Sequence, residues 1–247
     1  MKLNKKKCRY VLAIGTCALL FSGLAKSQAE EKAGISGPRA LELLLAGNQR
    51  FVAGQPKRDH QDLARRSEVA KGQHPFAIIV GCSDSRVPAE LVFDQGLGDL
   101  FGVRTAGHVM GDATLGSIEY GVEHLGANLI VVMGHSRCGA VDAAVKGGKA
   151  PRHVDSLVSA IEPAVKSVKG EKGPLLYNSV LANVRMVVSE LRTSHPVLSE
   201  RVEKGSLKIV GAYYDLDSGK VNIVPVSPAD VSKWQHAPHH ESWYQDR

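Results

Sequence analysis

The sequence predicts an α/β protein: a mostly parallel β-sheet of about four strands plus an antiparallel edge strand, flanked by helices. Three observations predict it. Short, continuously apolar runs at 76–81 and 129–133 suit strands buried on both faces of a parallel sheet. Segments with apolar residues at helical spacing separate the strand-like runs. No internal repeat or inter-domain linker breaks this alternation, so a single layered domain explains it.

Each element follows in order. Ser36-Gly37-Pro38 caps a first helix, in which Ala40, Leu41, Leu44, Leu45, Phe51 and Val52 recur at helical spacing. It ends near Gly54-Gln55-Pro56. Residues 62–71 make a second, more polar helix, 76–81 the first strand and 99–104 the second. Residues 113–125 are helical and closed by Gly126, and 129–133 are the third strand. A helix starts at 140–145, and 154–168 and 175–192 make two more. Residues 207–214 are the fourth strand, and Asp217-Ser218-Gly219 turns the chain into an antiparallel edge strand at 220–224. The tail after Pro225 is expected to be irregular, with His236, His239 and His240 a solvated terminus rather than a metal site.

Charge separates a leader from a body. The 247 residues carry 31 Lys+Arg and 25 Asp+Glu. Six of the cations, and no acid, fall in residues 1–29, so residues 30–247 balance at a formal zero. A neutral body lacks the cationic surface that displaces counterions from phosphate, so no nucleic-acid partner is expected. Residues 1–9 are cationic, 10–21 are apolar, and Ser27-Gln28-Ala29 puts small residues at both recognition positions of a peptidase. Residues 1–29 therefore read as a cleaved signal peptide, with cleavage after Ala25 the alternative, and 30–247 as a single catalytic domain with its core at about 38–226. An uncleaved anchor is the competing reading, but the run falls short of the ~20 apolar residues a span needs. No second run of that length follows. The expected location is the periplasm, with a soluble mature chain and no membrane span.

Cys8 and Cys17 leave with the leader, so the mature chain keeps Cys82 and Cys138. Two cysteines in an oxidising compartment favour a disulfide on count alone. Their neighbours reverse that reading. Cys82 follows one strand directly; His135 and Cys138 follow another, three residues apart. Ligands bind at the carboxyl ends of strands in open α/β sheets. Two thiolates and one imidazole converging there, with a fourth position open, form the donor set of a catalytic zinc site. A phosphate-binding thiol loop fits poorly, because Arg86 follows Cys82 by four positions rather than six and Asp84 intervenes. Arg86 can hold Asp84 in a bidentate pair. Held so, Asp84 can accept a hydrogen bond from a water on the metal; released, it can occupy the fourth position itself as a conditional ligand. A plain loop-stabilising salt bridge is the simpler alternative.

Cys82-x-Asp84-x-Arg86 with His135-x-x-Cys138-Gly139, 53 residues after Cys82, resembles the β-class carbonic anhydrases over most of residues 38–226. The resemblance implies one Zn²⁺ per subunit on Cys82, His135 and Cys138, and a catalytic dyad of Asp84 and Arg86. It implies reversible hydration of carbon dioxide to bicarbonate by a zinc-generated hydroxide that Asp84 orients. Gln73 stands at the family's bicarbonate-binding amide, Phe101 and Tyr120 at positions lining the pocket largely from the neighbouring subunit, and Gly139 with the substrate-binding groups. A homodimer or a tetramer of paired dimers is implied, with the helix at 38–53 wrapping the partner. Ile79 replaces the Trp of members with an inhibitory bicarbonate site, so that site is not expected. Thr105-Ala106-Gly107-His108 differs from the commoner Asn-Val-Ala-Asn, leaving His108 as either a hydrogen-bonded loop residue or a proton carrier at the pocket rim. Two alternatives stay open: a related zinc enzyme acting on carbon disulfide or carbonyl sulfide, and a non-catalytic zinc-binding or disulfide-bonded interaction protein.

Overall fold

The computed structural model describes residues 34–148 and 151–234. The leader and the histidines at 236, 239 and 240 lie outside the described residues. Among those described, no helix is long and apolar enough to cross a membrane.

The elements run α1 (Gly37–Val52), α2 (Leu63–Val69), β1 (Ala77–Cys82), α3 (Ala89–Val92), β2 (Leu100–Thr105), a 3-10 turn (Ala106–His108), α4 (Asp112–Glu123), β3 (Leu129–His135), α5 (Gly139–Lys146), α6 (His153–Ser167), α7 (Leu175–Thr193), α8 (Val197–Glu203), β4 (Lys208–Tyr214), β5 (Val221–Val224) and α9 (Pro228–Trp234). The strands form one sheet in the order β2-β1-β3-β4-β5. The first three pairings are parallel and β4–β5 is antiparallel. This is the expected α/β sheet with its antiparallel edge.

Every residue of β1 and β3 is buried. The period-two alternation of a strand sends their side chains to two separate cores. Ile79, Val131 and Met133 meet Leu44, Phe93 and Ile161 on one face. Ile78, Val80, Ile130 and Val132 meet Ile118, Val122, Val184 and Leu191 on the other. Continuous apolar sequence is therefore what a strand between two helical layers requires.

The α1 helix packs on its own chain. Ala40 and Leu44 are fully buried, and an ideal Cβ on Gly47 would lie 1.8 Å from the Phe93 carbonyl oxygen, so α1 meets the end of α3 almost backbone to backbone. Asn48 pins the contact: its amide donates to Val92 O (3.0 Å) and Gly219 O (2.9 Å), and its oxygen accepts from Val221 N–H (2.9 Å). The buried stripe of this helix thus faces its own sheet.

The region after Pro225 departs from the irregular tail expected. Residues Pro228–Trp234 are helical. Ser227 caps them: its hydroxyl accepts from Asp230 N–H (3.2 Å), while Asp230 accepts back from Ser227 N–H (2.8 Å). That reciprocal box, with Pro at the first helical position, is a start signal present in the sequence. Ser189 Oγ donates to Val231 O at 2.9 Å and ties α9 to α7. The short helices α3 and α8 also went unread, being four and seven residues long.

From β1 the chain crosses to β2 on one side and later returns to β3 on the other. The crevice at such a reversal opens at the carboxyl ends of the two central strands.

Candidate metal centre

Cys82 is the last residue of β1 and His135 the last of β3. The parallel register pairs Gly81 with Met133, so both side chains reach the same sheet edge. Beyond His135 the chain turns through Arg137, whose backbone is left-handed (φ 52°). The turn brings Cys138 back as the N-cap of α5. One ligand atom from each of Cys82, His135 and Cys138 lies within 4.8 Å of the others, and all three residues are buried. Both cysteines are free, with their sulfurs 4.0 Å apart.

The surroundings prepare these atoms for a cation. The His135 Nδ1 donates to Ser136 O at 2.9 Å, which fixes the proton there and leaves the Nε2 lone pair free. That Nε2 is buried with no hydrogen-bond partner. Ser136 is itself braced by the β4–β5 connection: its N–H donates to Tyr214 O (2.9 Å) and its hydroxyl accepts from Leu216 N–H (2.9 Å).

The two thiols share one ionisation. Cys82 is driven well below the usual thiol range, chiefly by the neighbouring Cys138 thiol, against burial and with help from His135 and the N–H groups of Gly107 and Asp84. Cys138 is driven upward by the Cys82 thiolate and by burial, although N–H groups of Val141 and Ala140 at the start of α5 oppose this. Two thiolates this close repel unless a cation lies between them. An orphaned imidazole nitrogen and two crowded sulfurs fit a soft-ligand divalent ion such as Zn²⁺.

Asp84 stands at the edge of this cluster, its Oδ2 3.8 Å from His135 Nε2. Arg86 grips it in a fork, Nε to Oδ1 at 2.9 Å and Nη2 to Oδ2 at 2.6 Å, and Arg86 N–H adds a bond of 2.9 Å to Oδ1. The Arg86 side-chain bonds hold the Asp84 carboxyl well below the usual carboxylate range. Arg104 ties down the loop beneath, donating to Cys82 O (2.9 Å) and Asp84 O (2.7 Å).

Most of the other residues singled out in the sequence lie elsewhere in the protomer. Gly139 opens α5 beside Cys138 and is exposed. Gln73 precedes β1, and the strand between it and Cys82 is itself roughly 17 Å long at strand rise. Phe101 pairs with Ile78 while Thr105 pairs with Cys82, which sets Phe101 roughly 13 Å along β2 from the cluster. Tyr120 packs against Phe101 with the rings tilted at 41° (centroids 6.3 Å) and is 48% exposed. None of these three reaches the cluster of its own chain. Ile79 is a core residue. His108 is buried and bonded to Asn183 at 2.9 Å, so it is the hydrogen-bonded loop residue and not a rim carrier. Sequence reading passed over Ser136 and Asn183. The signal for Asn183 was a polar residue on the apolar stripe of Val180, Val184 and Val187.

Residues 77–221 match the family model described as "Carbonic anhydrase". The chain is 45% identical over 185 residues to "Carbonic anhydrase 2" of Mycobacterium tuberculosis, covering 73% of this chain and 89% of that one. It is 42% identical over 190 residues to the carbonic anhydrase of Mycolicibacterium smegmatis, covering 74% and 91%. The solved β-carbonic anhydrase CcaA superposes with a TM-score of 0.60 at 25% identity, covering 76% of this chain and 99% of that structure.

Proposed function

The chain belongs to the β-class carbonic anhydrases, and on that premise we propose how its own residues perform the reversible conversion of carbon dioxide and water to bicarbonate and a proton. Cys82, His135 and Cys138 would hold one zinc ion per subunit; when bound, it supplies a Lewis acid that makes water a nucleophile near neutral pH. The observation that carries this reading is the buried, unpartnered His135 Nε2 facing two free thiols.

Asp84 orients the attacking oxygen by accepting its O–H in a hydrogen bond, which leaves a lone pair directed at the carbon. The Arg86 fork keeps that carboxylate ionised and acceptor-only. A carboxyl held so acidic is a poor proton store. The proton released in hydration therefore passes on to buffer. Released from Arg86, Asp84 would be a conditional fourth ligand and close the site.

Carbon dioxide is apolar and needs a dry wall. Phe101 and Tyr120 offer one to a second subunit, with Gln73 and Gly139 as hydrogen-bonding groups for bicarbonate. Among the described residues the outer edge of β2 is unpaired and Leu91, Leu97 and Tyr120 are exposed, which supports a homodimer. A tetramer would pair two such dimers. Export to the periplasm follows from the leader sequence, and N-terminal sequencing of the secreted chain tests it: Glu30 should be first.

Stopped-flow hydration of carbon dioxide tests the dyad. Asp84→Asn should retain zinc and lose about 100-fold or more in kcat, within the range of a positioned acid–base group. Undiminished turnover would remove the orienting role.

A further inference from the structure

We propose that Asn183 is a positioning residue that sets how strongly Cys82 donates to the metal, acting through the Gly107 N–H. The inference rests on the zinc reading above. Asn183 is buried on α7, among Val180, Val184 and Val187. A buried amide is costly unless bonded. Its Nδ2 donates twice, to Gly107 O and to His108 Nε2, both at 2.9 Å. The carbonyl partner settles the amide's orientation, because the reverse would set oxygen against oxygen. His108 is then the acceptor at Nε2 and carries its proton on Nδ1, which is buried without a partner.

Asn183 thus holds two consecutive residues of the 3-10 turn. The turn is clamped from another side as well. Gly107 is left-handed (φ 68°), and a Cβ there would meet Ile161 Cδ1 at 2.6 Å and Ala140 Cβ at 3.0 Å. Held between these contacts, the Gly107 N–H points at Cys82 Sγ, 3.3 Å away. A donor on a thiolate draws electron density from the sulfur. Less donation leaves the ion more electrophilic, as outer-shell partners tune metal sites in general. The chain Asn183–Gly107–Cys82 therefore couples a helix in the second layer to the Lewis acidity of the site.

The full-length protein loaded with cadmium-113 gives a direct readout. NMR should show a scalar coupling between the Gly107 amide proton and the metal, transmitted through the Cys82 sulfur. Asn183→Leu should abolish it. In the cobalt(II)-loaded variant the sulfur-to-metal charge-transfer band should move to lower energy. A metal-loaded wild type without the coupling overturns the proposal, as does an unmoved band in Asn183→Leu. Should the variant fail to fold, the wild-type coupling decides. A cadmium shift lacking two thiolate ligands would instead break the reading of the metal site.

Discussion

At the scale of single residues, burial acts on His108 in a way that can be measured. Burial drives its imidazole down to about 4 from an ordinary 6.5. The unfolded chain takes up this proton near 6.5, and the folded chain not until about 4. Stability is therefore complete above 6.5 and falls as pH drops through that window. The loss is on the order of 3 kcal/mol at its lower end. His108→Asn, which suits the left-handed backbone at this position (φ 46°), should flatten the slope between pH 6.5 and 4 in denaturant titrations. Parallel wild-type and variant profiles would show that this histidine is not held neutral. The cluster of Cys82, His135 and Cys138 was legible in the sequence because its members follow apolar runs, at fixed spacing. Asn183, Ser136 and the fork from Arg104 were not, because their roles depend on which backbone atoms the fold brings to them.

Elements are joined here by close approaches that sequence patterns do not reveal. The meeting of α1 with the end of α3 depends on Gly47, whose missing Cβ makes room for the Phe93 carbonyl. Gly47→Ala should cost about 3 kcal/mol or more by overpacking. For a domain of this size that is a drop of roughly 6–12 °C in Tm by calorimetry. An unchanged Tm would show that the helix shifts freely, against the tight Asn48 network. The strands were legible because both faces of β1 and β3 are buried, which left no polar alternation to misread. The helix α9 was missed although Ser227 and Asp230 announce it, because a helix of seven residues shows too little periodicity to stand out.

For the molecule as a whole, the sheet's length separates parts that the sequence brings close together. Gln73 is nine residues before Cys82, yet a full strand lies between them. One protomer therefore supplies Cys82, His135, Cys138 and the Asp84–Arg86 pair, while its Phe101–Tyr120 wall stands away from them. If a second copy completes the pocket, Tyr120→Arg should shift sedimentation toward monomer and lower turnover together, with zinc retained. A dimeric, fully active variant would show that the wall is not needed.

Zinc-edge X-ray absorption on active protein tests the metal centre most directly. Two sulfurs at about 2.3 Å and one imidazole nitrogen at about 2.0 Å are the expected shell. A shell without sulfur, or full activity in protein free of zinc, would contradict it.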